Sequence, residues 1–63
     1  GRMILELTDT KGAKAKFRSV VYVCVLANHS DQLYYQQRYK RNGKEFINER
    51  FVPLESISRW VVR

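Results

Sequence analysis

The chain is poor in the residues that small domains use as staples: it has one cysteine, Cys24, and one histidine, His29, among 63 residues. A single cysteine excludes an intrachain disulfide framework. Together with the histidine it falls short of the four ligands of a structural zinc site, so the fold must hold by packing, and neither metal nor other cofactor is expected. No apolar run approaches the roughly 18 residues of a spanning helix. The N-terminus lacks the apolar stretch and cleavage pattern of a signal peptide. The expectation is therefore a cytoplasmic protein without a membrane partner. No internal repeat, low-complexity linker or amphipathic stretch of about 10–12 residues occurs, which leaves an all-β reading with little competition.

Acidic residues are also scarce. Twelve Lys and Arg face six Asp and Glu, a formal charge of +6, while 44% hydrophobic residues suffice for folding. At this length, ordering costs roughly 1.5 kcal/mol per residue and apolar burial about matches it, so an elaborate buried active site is not expected. Gly1 and Arg2 precede Met3 and read as an addition ahead of a natural start. A single domain over 3–63 follows.

Period-two patterns run along the chain. Met3, Leu5 and Leu7 share one face of a first strand, with Glu6 and Thr8 on the other. After the turn Asp9-Thr10-Lys11-Gly12, the residues Ala13, Ala15 and Phe17 alternate with Lys14, Lys16 and Arg18. The same strand continues into Val20-Val21-Tyr22-Val23-Cys24-Val25-Leu26, whose β-branched content predicts a central strand buried on both faces, with Cys24 an inert core thiol. Asn28 to Asp31 supply a reversal in which His29 is a turn residue, and the sequon Asn28-His29-Ser30 is coincidental without a secretory signal.

Asn42-Gly43 predicts a type I′ hairpin, because both central residues need φ > 0. A two-residue loop fixes the register: Lys40 opposite Glu45, Tyr39 opposite Phe46, Arg38 opposite Ile47, and so on to Tyr34 opposite Phe51. Opposite charges and aromatic pairs then meet, each pairing worth ~0.2–1 kcal/mol over an alanine pair. Pro53 ends the fourth strand, Leu54-Glu55-Ser56-Ile57 fits one 3₁₀ turn, and Arg59-Trp60-Val61-Val62 forms a last strand.

This order, with the Asn42-Gly43 hairpin followed by Phe51-Val52-Pro53-Leu54-Glu55-Ser56-Ile57 and Trp60-Val61-Val62, resembles the SH3-like small β-barrel over nearly the whole chain. The resemblance implies an all-β, five-stranded barrel with a short 3₁₀ turn before the last strand. Members of that fold class serve as adaptors, nucleic-acid binders and assembly subunits, so individual residues must decide function. Proline-peptide-binding SH3 domains differ: they carry an early ALYDY-type segment, an acidic specificity loop and a tryptophan opening the third strand. Here Met3 to Lys16 has no aromatic residue, the first loop carries Lys11, Lys14 and Lys16, and the tryptophan lies near the end.

Basic residues interleave with rings in the hairpin: Tyr34, Tyr35, Arg38, Tyr39, Lys40, Arg41, Lys44, Phe46 and Arg50. Phosphates need cations and unpaired bases need flat rings, and a twisted hairpin presents both. By parity, Tyr35, Gln37, Tyr39, Phe46, Asn48 and Arg50 share one face, and Tyr34, Gln36, Arg38, Lys40, Glu45, Ile47 and Phe51 the other. Lys14, Lys16 and Arg18 form a second basic row, spaced about 7 Å apart along one face. Trp60, flanked by Arg59 and Arg63, either stacks on a base or closes the core. There is no nucleophile with a base, no glycine-rich phosphate loop and no paired metal ligands, so no enzyme is expected. The acids Glu45, Glu49 and Glu55 read as ion-pair partners.

The leading expectation is a non-enzymatic nucleic-acid-binding barrel, for DNA or RNA. Lys14, Lys16, Arg18, Arg38, Lys40, Arg41, Lys44 and Arg50 would serve phosphates, and Tyr34, Tyr39 and Trp60 bases. The alternative is an interaction or assembly module that meets an acidic protein or forms a homo-oligomer, with an apolar seam of Val20, Tyr22, Trp60 and Val62. Small size and basic charge also suit an accessory protein of a phage or mobile element.

Overall fold

The computed structural model describes residues 1–28 and 31–63. Five strands follow one another: β1 (Met3–Asp9), β2 (Lys14–Leu26), β3 (Gln32–Arg41), β4 (Lys44–Pro53) and β5 (Ile57–Val62). A single 3₁₀ turn, Leu54–Ser56, precedes β5. All pairings are antiparallel, in the order β4-β3-β2-β1-β5. The fold is all-β, and the sheet is open, with β4 and β5 as its two edges. Among the described residues no helix is long and apolar enough to cross a membrane.

Turn chemistry sets the strand boundaries. The Asp9 carboxylate accepts hydrogen bonds from the backbone N–H groups of Lys11 and Ala13, both at 2.8 Å, and Gly12 takes a φ of 88°. These bonds let the chain reverse without leaving donors unpaired. At the hairpin Asn42 and Gly43 have φ of 51° and 77°, the sign a type I′ turn requires. The register from Tyr34 opposite Phe51 to Lys40 opposite Glu45 is the one the two-residue loop dictates. The expected reversal and sequon around His29 and Ser30 lie outside the described residues.

β2 bends the sheet. Between Met3/Val20 and Leu5/Phe17 it carries one residue more than β1, and Ser19 there adopts a φ of 57°. Between Val20/Gln37 and Tyr22/Gln36 it carries one more than β3. Two adjacent bulges increase local twist and fold the strand over a core. That core consists of Leu5, Leu7, Val20, Leu33 and Tyr35, with Met3, Phe17, Val23, Val52, Leu54 and Ile57 packed around it. The shortest molecular dimension, 19 Å, matches two layers of sheet about 10 Å apart.

Two expectations for β2 need correction. It is the central strand, yet it is not buried on both faces, because Tyr22, Val25 and Leu26 are exposed. Cys24 is half-buried opposite Tyr34, on the face away from the core, since the two bulges reset the alternation that a run of β-branched residues conceals. The seam of Val20, Tyr22, Trp60 and Val62 also does not form. Val20 is fully buried, Tyr22 points outward, and Trp60 and Val62 lie opposite Leu7 and Leu5 on the core side of β5.

Candidate nucleic-acid interface

The paired strands β5, β1 and β2 bring scattered cations together. Across the outer face, Thr8 of β1 lies opposite both Lys14 of β2 and Arg59 of β5, and Glu6 lies opposite both Lys16 and Val61. Long basic side chains therefore rise on both sides of a floor made by a short threonine and a glutamate. The result is a groove of about 540 Å³ whose lining includes Lys14, Lys16, Arg59 and Arg63, with Glu6 and Thr8 at its base. Lys14 and Arg59 are two strand spacings apart, about 9.5 Å between backbones.

The C-terminus is tied into this groove. Backbone bonds link Ile4 and Arg63 in both directions, at 3.0 and 2.9 Å. The Arg63 guanidinium pairs with the Glu6 carboxylate. That hydrogen bond, with the nearby charges of Arg63, Lys16 and Lys14, holds the Glu6 carboxyl below its ordinary range. Glu6 is the groove's one acid among the described residues, and it faces four cations.

In the hairpin the basic residues divide between two faces. Tyr34, Arg38 and Lys40 lie on the outer face, while Tyr39, Arg41, Lys44 and Arg50 share the face of the core residues Leu33 and Tyr35. Arg38 pairs with Glu45 at 3.8 Å, so the acid opposite Lys40 reaches diagonally to Arg38 instead of to its directly opposed lysine. Among the described residues neither Glu49 nor Glu55 makes an ion pair, contrary to their expected role. Arg50 lies opposite Tyr35; burial pushes the Tyr35 phenol up and the Arg50 charge offsets part of that. Arg50 thus borders the core.

The expected ring contacts also divide. Tyr39 and Phe46 stack with centroids 5.5 Å apart and an interplanar angle of 25°, so each covers a face of the other. Trp60 is 40% exposed on the core side of the β5 edge, across from Leu7, and closes the core only in part. Tyr34 sits between Phe51 and Tyr22 on the outer face, at 4.9 and 5.9 Å.

Lys14 and Lys16 point outward together, as their alternation implies. Arg18 is exposed at the bulge, where its carbonyl accepts a hydrogen bond from the Gln37 amide at 3.0 Å. The lysine groove and the cleft around Arg38 and Lys40 share no lining residue. In the sequence Arg59 and Arg63 stand out only as neighbours of Trp60, although the alternation Arg59, Val61, Arg63 places them on one face. What the sequence did not supply is the pairing of β5 with β1, which carries that face to the lysines. Compared with protein families, curated proteins and solved structures, the chain matches none.

Proposed function

We propose that this protein is a non-enzymatic nucleic-acid-binding small barrel of SH3-like arrangement, with the β2–β1–β5 groove as its phosphate-binding surface. The strand order, the I′ hairpin and the single 3₁₀ turn before β5 support the SH3-like arrangement. One observation carries the function: four cations, two from β2, one from β5 and Arg63 just after it, converge on a groove holding one carboxylate, which is itself paired with Arg63. A polyanion with regularly spaced charges fits such a channel, and release of its counterions would drive binding. Arg18, Arg38 and Lys40 extend the positive field beyond the groove.

The test is fluorescence anisotropy of labelled DNA and RNA oligonucleotides against salt. Four phosphates engaged on a single strand give a slope of log K on log salt of about −3. A chain that fails to bind, or that binds without salt dependence, contradicts the proposal.

A second reading, an interaction module for an acidic protein or a second copy, draws on large exposed apolar side chains: Tyr22 and Phe51 on the outer face, and Trp60 and Val62 on the β5 edge strand. It predicts a defined multimer in sedimentation, or capture of an acidic protein by a chain that ignores oligonucleotides.

A further inference from the structure

We propose that the outer face of β2, β3 and β4 is a base-stacking platform for single-stranded nucleic acid, with Tyr22, Tyr34 and Phe51 as its rings. This rests on the nucleic-acid reading above and deepens it, because a base can lie on a ring only when it is unpaired.

The rings form a row across three neighbouring strands. Tyr22–Tyr34 centroids are 5.9 Å apart at an interplanar angle of 65°, and Tyr34–Phe51 centroids 4.9 Å apart at 46°. Such edge-on and tilted contacts hold the rings in place with less face-to-face overlap than in the stacked Tyr39–Phe46 pair at the hairpin end. Tyr22 is 48% and Phe51 51% exposed, and neither belongs to the core cluster. The Gln36 amide donates to the Tyr34 hydroxyl at 2.7 Å, which fixes the middle ring and places a side-chain amide beside it. On the solvent side of an antiparallel sheet polar residues are the rule, so three adjacent rings there form an exposed apolar patch of the kind that marks a contact surface.

The charge distribution selects nucleic acid as the occupant. β2 carries both features on one strand: Lys14, Lys16 and Arg18 precede the bulges and Tyr22 follows them. A strand leaving the cationic groove along β2 therefore arrives at Tyr22. Around the rings the charge is sparse and includes Glu49 opposite Gln36, so this part of the face suits bases and the groove suits phosphates.

The experiment compares three fluorescein-labelled probes of equal length on the intact chain: oligothymidylate, its fully abasic counterpart, and a duplex. The expected result is oligothymidylate binding at least about tenfold tighter than the abasic probe, from two or more stacked bases. Tyr22→Ala and Phe51→Ala each weaken oligothymidylate binding by about fivefold or more and leave the abasic affinity and the salt slope unchanged. Tyr22→Phe and Phe51→Tyr, which keep the ring, keep the affinity, and Phe51→Leu, which keeps apolar bulk, does not. Equal affinity for oligothymidylate and the abasic probe overturns the platform while leaving the phosphate groove standing. Preference for the duplex, or alanine variants that bind as tightly as the parent, does the same. No binding of any probe overturns both. A dimer in sedimentation that Phe51→Ala dissociates assigns the rings to a second copy and also overturns the platform.

Discussion

The two ends of the sheet use the same residue types to different effect. At the β5–β1–β2 end, Lys14, Lys16, Arg59 and Arg63 stand on one face around a narrow floor. At the hairpin end, Arg38 and Lys40 point one way and Arg41, Lys44 and Arg50 the other, with Arg38 spent on Glu45. The hairpin segment looks more basic along the sequence, since residues 32–53 alone carry five basic side chains against two acidic ones. Local density of charge in sequence thus says less than shared facing in the sheet. A tight hairpin pairs consecutive residues and splits their side chains between two faces, whereas two strands flanking a third add their outward residues together.

Charge reversal separates the two ends most strongly. Lys14→Glu with Lys16→Glu is expected to weaken oligonucleotide binding by at least about tenfold near physiological salt, since two phosphate contacts are lost and repulsion is added. Arg41→Glu with Lys44→Glu, on the opposite face, is expected to change it only a few-fold through the general field. Anisotropy titrations of both variants, with circular dichroism to verify folding, check this. Equal losses would erase the distinction.

Removing the groove's carboxylate works in the other direction. Glu6→Gln is expected to tighten binding a few-fold, as the one negative charge among the four cations of the groove is removed. Acid reaches the same state in the parent protein. Because Arg63 holds the Glu6 carboxyl below its ordinary range, the pair's contribution to stability is present above the unfolded-state value and is lost as pH falls through the lowered folded one. Binding to oligonucleotide should therefore rise over that acidic window in the parent and rise less in Glu6→Gln. The stability difference between the two proteins should change with pH only across that window, staying constant above it and vanishing below.

The smallest effect belongs to the hairpin ion pair. Arg38→Gln removes the 3.8 Å contact with Glu45, both side chains being exposed. Exposed pairs contribute at most about 1 kcal/mol, so in a domain of this size thermal unfolding should shift by no more than about 8 °C. A larger destabilisation would mean that Arg38 supports the hairpin in some further way.

Much of the fold was legible because local chemistry dictates it. Asn42-Gly43 fixes ten residue pairs of the β3–β4 register by turn geometry alone. The alternation of Met3, Leu5 and Leu7 marks the buried face of β1, where Leu5 and Leu7 are core residues. Pro53 and the short segment after it locate the 3₁₀ turn. β2 was only half legible. Its continuity was plain, but bulges at Ser19 and Val21 shift parity, and a run of valines gives no polar residue to reveal the shift. Tyr22 and Cys24 consequently lie on the outer face, Tyr22 exposed and Cys24 half-buried, where the sequence suggested the interior.

The groove was less legible than the fold for a related reason. Lys14 and Lys16 stand out as a row, yet their neighbours Arg59 and Arg63 are more than forty residues away and join them only through β1. The same pairing brings Glu6 opposite Lys16, an acid that the absence of acidic residues from Thr10 to Ser30 does not suggest. The ring row has a similar origin. Tyr34 and Phe51 follow from the hairpin, but Tyr22 joins them only after the second bulge has turned it outward.

The central claim is that the β2–β1–β5 groove holds phosphates. It is tested most directly by the salt dependence of oligonucleotide affinity in the parent protein and in Lys14→Ala with Lys16→Ala. The account predicts a slope of log K on log salt near −3 in the parent, falling to about −1.5 when two of the four cations are removed. An unchanged slope in the variant would place the phosphates elsewhere and contradict it.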